Sequence, residues 1–407
     1  MPPAMTDSTQ IVEPALDQPV APPLSSLAGV LVGQDAALPL EAQSGALCVS
    51  SFGNPARELD ALLHSVGLYD LGFRTRISVS GEDKFRWLNG MVTNAVSTLA
   101  RHHGNYNFIL NAQGRIQGDA YVYREPEPGG EAERLVIETD RSQAGRLMEH
   151  FDRFIIMDDV ELREPSGTVT ALGLAGPGAA ELLQRLELVE AAELEPHQFT
   201  SGRLGGVPVT VTRAYGVLTP RFELWFEPAS TAELARLLVE SGARAAGLEA
   251  WNALRVLEGT PIYGVDINDR NLVQETSQAR ALNFSKGCYL GQEIVERIRS
   301  RTTVHRFLRQ LSLSGPAPLA GTELRVAGEE RAVGQLTSVA TYRRAGLARE
   351  LRARELPAGA ALPERSTVLA LGYVRGDAIE RKLELEYEGG KARLLDGPPS
   401  LEEDDEG

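Results

Sequence analysis

One of the two cysteines of the chain lies in a segment whose residue types favour a reactive thiol. Cys288 comes two residues after Lys286 and shortly before a stretch of good helix formers that starts near Gly291. A nearby ammonium group and a helix N-terminus both favour the thiolate, and Gly287 and Gly291 allow the backbone to bend tightly around it. The pattern therefore predicts an activated, accessible thiol, although a half-buried, inert cysteine fits the same residues.

The cysteine count limits the metal chemistry of the chain. Cys48 and Cys288 cannot supply the four thiolates of a structural zinc site or of a permanent iron–sulfur cluster. The sequence also contains neither G-x-x-x-x-G-K-[ST] nor H-E-x-x-H, the motifs of a phosphate-binding loop and a zinc protease. We expect no stable metal site, while Cys288 could act as a transient ligand of a cluster shared with another protein.

The segment around this thiol carries a long and specific motif. It has the sequence Lys286-Gly287-Cys288-Tyr289-Leu290-Gly291-Gln292-Glu293 and resembles the K-G-C-[FY]-x-G-Q-E signature of the YgfZ family. Members of that family are folate-binding proteins of iron–sulfur cluster assembly and repair. The resemblance implies a folate-dependent accessory factor for [4Fe–4S] clusters in client enzymes, including tRNA-modifying enzymes, with Cys288 and Lys286 as reactive residues.

Two further segments resemble the glycine-cleavage aminomethyltransferases, which belong to the same GcvT-like superfamily. They are L-R-V-L-E-G at 254–259, continued by Y-G-V-D-I at 263–267, and N-A-Q-G-R-I-Q-G-D at 111–119. The resemblance implies tetrahydrofolate or another folate derivative as the cofactor, held by Asp119, Glu258, Arg255 and Tyr106. Glu258 suits the pterin edge because a carboxylate accepts two parallel N–H donors well. A salt bridge from Glu258 to Arg255, one helical turn away, is the alternative.

The chain departs from the aminomethyltransferases at two places. They have two consecutive aspartates where this chain has Gly118-Asp119, and they lack the cysteine of the K-G-C motif. These differences favour the assembly factor over a tetrahydrofolate-dependent aminomethyl or one-carbon transferase, in which Asp119 would be the polar catalytic group. A third hypothesis is a thiol enzyme with Cys288 as nucleophile. It needs a base, and His305 is the nearest downstream histidine.

Strand-like and helix-like segments alternate through most of the chain and must position these residues. Tyr106–Leu110 and Arg115–Tyr123 are predicted strands joined by a turn, and Asp140 is predicted to cap the following helix. After residue 303, short β-segments separated by Gly and Pro indicate a barrel. Together with the resemblance, this predicts an α+β fold. An aminomethyltransferase-like folate-binding body of two related α/β units (46–165 and 166–303) is followed by a small C-terminal β-barrel (304–395).

The remaining segments are expected to lie outside these domains. We expect a disordered arm at 1–45, rich in Pro, Ala, Asp and Gln, with a short amphipathic piece near Leu27–Val32. A long exposed insertion is predicted at 345–363, where Arg, Ala and Glu predominate. The like-charge run at the end predicts an acidic tail at 396–407.

Charge and hydropathy restrict the partners and the location. The 407 residues carry a net charge of −15, with 41 Lys and Arg against 56 Asp and Glu, which argues against direct nucleic-acid binding. No apolar run approaches the roughly 18 residues of a membrane helix, and the N-terminus does not resemble a signal peptide. We expect a cytoplasmic protein that partners with folate, iron–sulfur assembly proteins and [4Fe–4S] client enzymes, and not with a membrane.

Overall fold

The computed structural model describes residues 21–127, 132–164, 167–301, 304–343 and 366–399. Within these ranges the chain forms two larger sheets flanked by helices, a short hairpin and a closed β-barrel. The α+β class and the C-terminal position of the barrel were both predicted from the sequence. The predicted insertion at 345–363 and residues 400–407 of the acidic tail lie outside the described residues.

Helices and strands alternate in the body and give way to strands in the barrel. The elements up to residue 163 are α1 (Ser26–Val32), β1 (Leu40–Gln43), β2 (Ala46–Val49), α2 (Pro55–His64), β3 (Gly67–Asp70), β4 (Arg74–Ser80), α3 (Lys84–Met91), β5 (Gly104–Leu110), β6 (Ile116–Pro126), β7 (Glu133–Asp140), α4 (Arg141–Asp152) and β8 (Glu161–Arg163). Those up to residue 301 are β9 (Thr170–Ala175), α5 (Ala179–Arg185), β10 (Phe199–Leu204), β11 (Val207–Ala214), β12 (Arg221–Phe226), α6 (Thr231–Glu240), β13 (Arg244–Ala246), α7 (Leu248–Leu257) and α8 (Gln292–Arg301). Those of the barrel are β14 (Arg306–Ser314), β15 (Glu323–Val326), β16 (Ala332–Arg343), β17 (Ser366–Arg375), α9 (Gly376–Glu380), β18 (Leu385–Tyr387) and β19 (Gly390–Leu394).

Residues 21–45 form regular elements, so the prediction of a disordered arm is wrong for this part of the chain. Helix α1 covers the short amphipathic piece that the sequence indicated, and Ser25 caps it by accepting a hydrogen bond from Ala28 N. Leu27 is buried among the apolar residues of the second sheet, and β1 pairs with β2. Composition alone missed these elements, because a few well-placed apolar contacts are enough to fix a short segment.

One strand from the first predicted unit belongs to the second of the two larger sheets. The first sheet has the order β5-β6-β7-β4-β8, and the second has the order β10-β11-β12-β9-β3-β13. Strand β3, at Gly67–Asp70, belongs to the second sheet because it pairs with β9 on one side and with β13 on the other. The first unit therefore contributes the strand next to the edge of the second sheet, which joins the two units into one body.

The barrel packs against helix α7 of the body. Its strands close in the order β14-β17-β16-β15-β18-β19 among the described residues. Leu308 of β14 and Leu371 of β17 lie in the same buried cluster as Leu254 and Leu257 of α7. Helix α7 is thus buried on several sides, and its side chains lie at the junction of body and barrel. Across the described ranges, every helix is too short or too polar to cross a membrane.

Candidate functional site

A narrow cavity lies where the two sheets and helix α7 meet. It is lined by aromatic and charged side chains, namely Phe73, Arg74, Tyr106, Asp119, Tyr121, Asp140, Tyr215, Arg221, Glu223, Trp251, Arg255, Tyr263 and Arg280. The volume of the cavity is about 70 Å³. The cavity therefore brings together three of the four residues predicted to hold the cofactor: Tyr106, Asp119 and Arg255.

Asp119 is held in a fixed orientation at one end of the cavity. The hairpin of β5 and β6 places it near Tyr106, whose hydroxyl donates to Asp119 Oδ2 at 2.7 Å. Gln143 of α4 donates to the other oxygen, Oδ1, at 2.9 Å, and accepts from the backbone N–H of Asp119. Burial and the nearby carboxylate raise the pKa of Tyr106 well above its usual value, so this phenol remains a donor. Asp119 can accept further hydrogen bonds from a ligand in the cavity.

Arg255 lines the cavity, but its guanidinium is engaged by other residues of the protein. Its Nη1 lies 2.7 Å from Asp266 Oδ2, and its Nη2 donates to Ser338 of the barrel at 2.8 Å. Asn252 accepts from its Nε. Both partners of the Arg255–Asp266 pair are buried. The L-R-V-L-E-G and Y-G-V-D-I segments thus meet through this ion pair and join α7 to the barrel.

Glu258, which the resemblance assigned to the pterin edge, does not line the cavity. Its Oε2 lies 2.5 Å from Nη1 of Arg221, and its Oε1 accepts from the backbone of Leu218. The alternative pairing with Arg255 is wrong, because Arg255 faces Asp266. Glu258 instead holds Arg221, which does line the cavity, and lies in the adjacent cleft.

Glu223 supplies the cavity carboxylate that sequence analysis missed. It lies in the middle of β12, where all six residues are buried. Behind it is Glu138 of β7, whose pKa is raised to about 8 by burial and by the Glu223 carboxylate, against the opposing effect of Arg74. Burial beside a second carboxylate thus favours the protonated form of Glu138, with Arg74 opposing it. An acidic residue flanked by Phe222 and Leu224 in a strand was the available signal, since such residues are rarely buried without a partner.

Arg280 lies at the neck between the cavity and a wider cleft. Its guanidinium carbon is 4.4 Å from the ring centre of Tyr106 and 4.0 Å from that of Tyr215. The cleft has a volume of about 340 Å³ and shares Tyr215, Thr260 and Arg280 with the cavity. Arg309 of β14 also lines the cleft, and its buried Nε has no hydrogen-bond partner among the described residues. Arg280 and Arg309 thus place two guanidinium groups along the wall of the cleft.

Lys286 has a role different from the predicted activation of the thiol. Its Nζ donates to the carbonyl oxygens of Asn89, Val92 and Asn94, at 2.6, 2.6 and 2.7 Å. Burial lowers the pKa of Lys286 to about 7, while three carbonyl acceptors act in the opposite direction by stabilising the ammonium form. With its N–H donors used in this way, Lys286 anchors the motif to the end of α3 rather than facing Cys288.

The rest of the motif packs against the turn between β5 and β6. Gly291 has φ of 81°, and a Cβ there would lie 2.5 Å from the carbonyl oxygen of Asn111 and 3.2 Å from Cα of Gly114. Tyr289 is buried in the same cluster as Tyr106 and Tyr263, two residues of the cavity wall. Gln292 and Glu293 begin helix α8, as predicted. The sequence motifs at 111–119 and 286–293 are therefore neighbours in space.

Cys288 is exposed and does not line the cavity. The sequence-based alternative of a half-buried cysteine is thus wrong, and the expectation of an accessible thiol is confirmed. His305 is exposed at the start of the barrel, and the described residues include no hydrogen bond between it and Cys288. No group of three metal-binding side chains occurs within the described ranges.

Comparison with known proteins agrees with this architecture. Residues 48–286 match the GCVT N-terminal domain. The chain is 28% identical to an aminomethyltransferase of Thermus thermophilus over 280 residues, covering 68% of this chain and 76% of the relative. It is 25% identical to a putative chloroplastic transferase of Arabidopsis thaliana over 291 residues, covering 71% of this chain and 65% of that relative's length. The crystal structure of aminomethyltransferase T of the Bartonella henselae glycine cleavage system aligns with a TM-score of 0.73, at 18% identity, over 91% of this chain and 95% of the other.

The chain belongs to the family defined by the GCVT N-terminal domain, because the match covers more than half of its length. The superposition with the Bartonella protein confirms the aminomethyltransferase-like fold that the resemblance implied.

Proposed function

We propose that this protein is a folate-binding accessory factor that assembles or repairs [4Fe–4S] clusters in client enzymes, including tRNA-modifying enzymes. In this proposal Cys288 is a transient ligand or exchange site for the cluster, which is cargo and not a resident cofactor. The protein acts in the cytoplasm with iron–sulfur assembly proteins and does not bind nucleic acid directly.

The observation that carries the proposal is the contrast between Cys288 and the rest of its motif. Lys286 donates hydrogen bonds to three carbonyl oxygens, and Tyr289 is buried. Gly291 packs against a backbone carbonyl group with which a side chain would collide. Each of these residues has a structural reason to be present. Cys288 is exposed and has no structural partner among the described residues, so its place at the centre of the motif favours chemistry at the thiol.

In this proposal the cavity binds the pterin ring of a reduced folate. Asp119 and Glu223 offer carboxylate oxygens to the N–H groups of a pterin ring, and the Trp251 indole N–H has no hydrogen-bond partner among the described residues and suits a ring acceptor. Arg280 and Arg309 mark the path that a benzoyl-glutamate tail would follow into the cleft. When bound, tetrahydrofolate would supply a carrier for one-carbon units, while the residues named here bind and orient it.

Complementation of a strain that lacks this protein tests the proposal. The readout is a [4Fe–4S]-dependent tRNA modification, measured for wild type, Cys288→Ser and Asp119→Asn. We expect Cys288→Ser to lose activity while its affinity for 5-formyltetrahydrofolate is unchanged, and Asp119→Asn to lose affinity. Ser285→Ala, an exposed neighbour of the motif, is the matched control and should behave as wild type. Full complementation by Cys288→Ser would remove the thiol from the function.

A second candidate is a tetrahydrofolate-dependent aminomethyl or one-carbon transferase. It is favoured by the two hydrogen bonds, from Tyr106 and Gln143, that aim Asp119 within the cavity, a geometry that suits a group acting on a bound substrate. This candidate predicts steady-state formation of methylenetetrahydrofolate from an aminomethyl donor by wild type and Cys288→Ser alike, and no product from Asp119→Asn. Activity of that kind, independent of the thiol, would favour the transferase over the assembly factor.

A further inference from the structure

A second carboxylate lies beside Asp119 in the cavity, although the sequence has Gly118 where aminomethyltransferases have another aspartate. Tyr121 of β6 pairs with Glu138 of β7, so the antiparallel register places residue 119 opposite Asp140. Thr139 confirms the closeness of the strands, since its hydroxyl donates to the carbonyl oxygen of Asp119 at 2.8 Å. Both aspartates line the cavity. The missing neighbour of Asp119 is therefore replaced across the strands and not along the chain.

Asp140 does not make the capping hydrogen bond expected at its position. It is the N-cap residue of α4, as predicted, but its side chain accepts no capping hydrogen bond. Arg74, the cation opposite Asp140 on β4, has its Nη2 2.9 Å from Glu138. Neither Asp119 nor Asp140 has a salt-bridge partner within 4 Å among the described residues. Gln143 donates to Asp119 at 2.9 Å and lies near Asp140, so the three side chains meet at the start of α4.

The surroundings of Asp140 make its ionisation sensitive to a ligand. Burial raises its pKa to about 6, with Arg74 of β4 acting against the shift and Asp119 of β6 adding to it. Ser44, from the turn between β1 and β2, and Gln143 of α4 stabilise the carboxylate by hydrogen bonds. The other charged groups in the cavity come from β12, α7 and the segment before α8 and are Arg221, Glu223, Arg255 and Arg280.

An unpaired donor in the same cavity indicates that these carboxylates face a ligand. Trp251 of α7 is only 7% exposed, lines the cavity, and its indole N–H has no partner among the described residues. A buried donor without an acceptor is costly. A ligand that presents a hydrogen-bond acceptor would satisfy this indole, and N–H groups on the same ligand could donate to the remaining lone pairs of the two carboxylates.

We propose that Asp119 and Asp140 together accept hydrogen bonds from N–H groups of the ligand's ring, and that Asp140 releases its proton when the ligand binds. This inference rests on the proposed folate site and adds to it a second acidic residue and a coupling between binding and protonation. Because an ionised carboxylate is the better acceptor, the ligand binds preferentially to the deprotonated form. The affinity for ligand should therefore rise with pH through the range in which free Asp140 titrates.

Isothermal titration calorimetry with 5-formyltetrahydrofolate between pH 5.5 and 7.5 tests this inference. With a pKa of about 6, roughly one quarter of Asp140 is ionised at pH 5.5 and nearly all at pH 7.5, so wild-type affinity should rise about fourfold. Titrations at pH 6 in buffers of different ionisation enthalpy should show release of about half a proton per ligand. Asp140→Asn should bind with flat pH dependence and no proton release, whereas Asp152→Asn, an exposed aspartate on the same helix, should match wild type.

The possible outcomes separate this inference from the proposed function. Wild-type binding without proton release at pH 6 would overturn the role of Asp140, whatever the variant does. Unchanged proton release in Asp140→Asn would overturn it as well, while leaving the folate site intact. If wild type does not bind the folate at any pH, the proposed function fails and this inference fails with it.

Discussion

Substitution of Gly291 by alanine tests how the motif is held against the turn between β5 and β6. The residue has φ of 81°, where an L-residue other than glycine costs about 1–2 kcal/mol. The added Cβ would also lie 2.5 Å from the carbonyl oxygen of Asn111, and relieving such a contact with backbone adds about 1–3 kcal/mol. We therefore expect Gly291→Ala to destabilise the local docking of the motif by at least about 2 kcal/mol.

Amide hydrogen exchange reports this local effect more directly than global unfolding, which need not be two-state in a protein of several domains. The informative amides are Leu290, which donates to the carbonyl oxygen of Gly90, and Val295, which donates to that of Gly291. A loss of 2 kcal/mol corresponds to exchange about 30-fold faster at both positions.

Gly287→Ala is the matched control within the same motif. A Cβ at Gly287 meets nothing within 4 Å, and its φ lies outside the left-handed region. Exchange at Leu290 should therefore change little in this variant. Equal protection in Gly291→Ala and Gly287→Ala would show that the packing of Gly291 on the turn does not hold the motif, and our account of the motif would be wrong.

Three further predictions concern a buried ion pair, the exposed thiol and the second cavity aspartate. Asp266→Ala leaves Arg255 buried and unpaired, and should destabilise the protein by about 3–5 kcal/mol in denaturant titration; a loss below 1 kcal/mol would contradict this. Cys288→Ser should keep the melting temperature of wild type because the side chain is exposed, and a clear decrease in differential scanning calorimetry would assign it a structural role. Asp140 ionises only at a cost in the folded state, since its pKa rises from 3.8 to about 6; this cost is absent below about pH 4 and complete above about pH 6. Asp140→Asn should thus be more stable than wild type at pH 7.5, by up to about 3 kcal/mol, and not at pH 4, whereas a pH-independent difference would refute the assignment.

The architecture was largely readable from local sequence. The β5–β6 hairpin follows from two alternating segments around Asn111-Ala112-Gln113-Gly114, and α8 starts at Gln292 as the helix formers indicated. The body and the barrel differ in the spacing of their apolar residues and turns, which is a local property of the chain. The exception is the segment 21–45, where burial of Leu27 against the second sheet outweighs a composition typical of disorder.

The candidate site was predictable only where its residues lie close together along the chain. Asp119 and Tyr106 lie on one hairpin, so their proximity follows from a short-range register. Glu258 was assigned to the wrong neighbour, because helical spacing suggests Arg255 but cannot show that Arg221, 37 residues away, reaches it across the fold. The same limit explains why Glu223 was missed.

By itself the sequence determined the alternation of elements, the order of the domains and the presence of an unusual cysteine motif, since these depend on residues close together along the chain. Tertiary structure alone decided which carboxylates share the cavity, that Lys286 donates to backbone carbonyls, and that Cys288 is exposed and is not part of the cavity wall. Charges interact over a few ångströms regardless of their separation in sequence, so their partners are settled only when distant strands pack together.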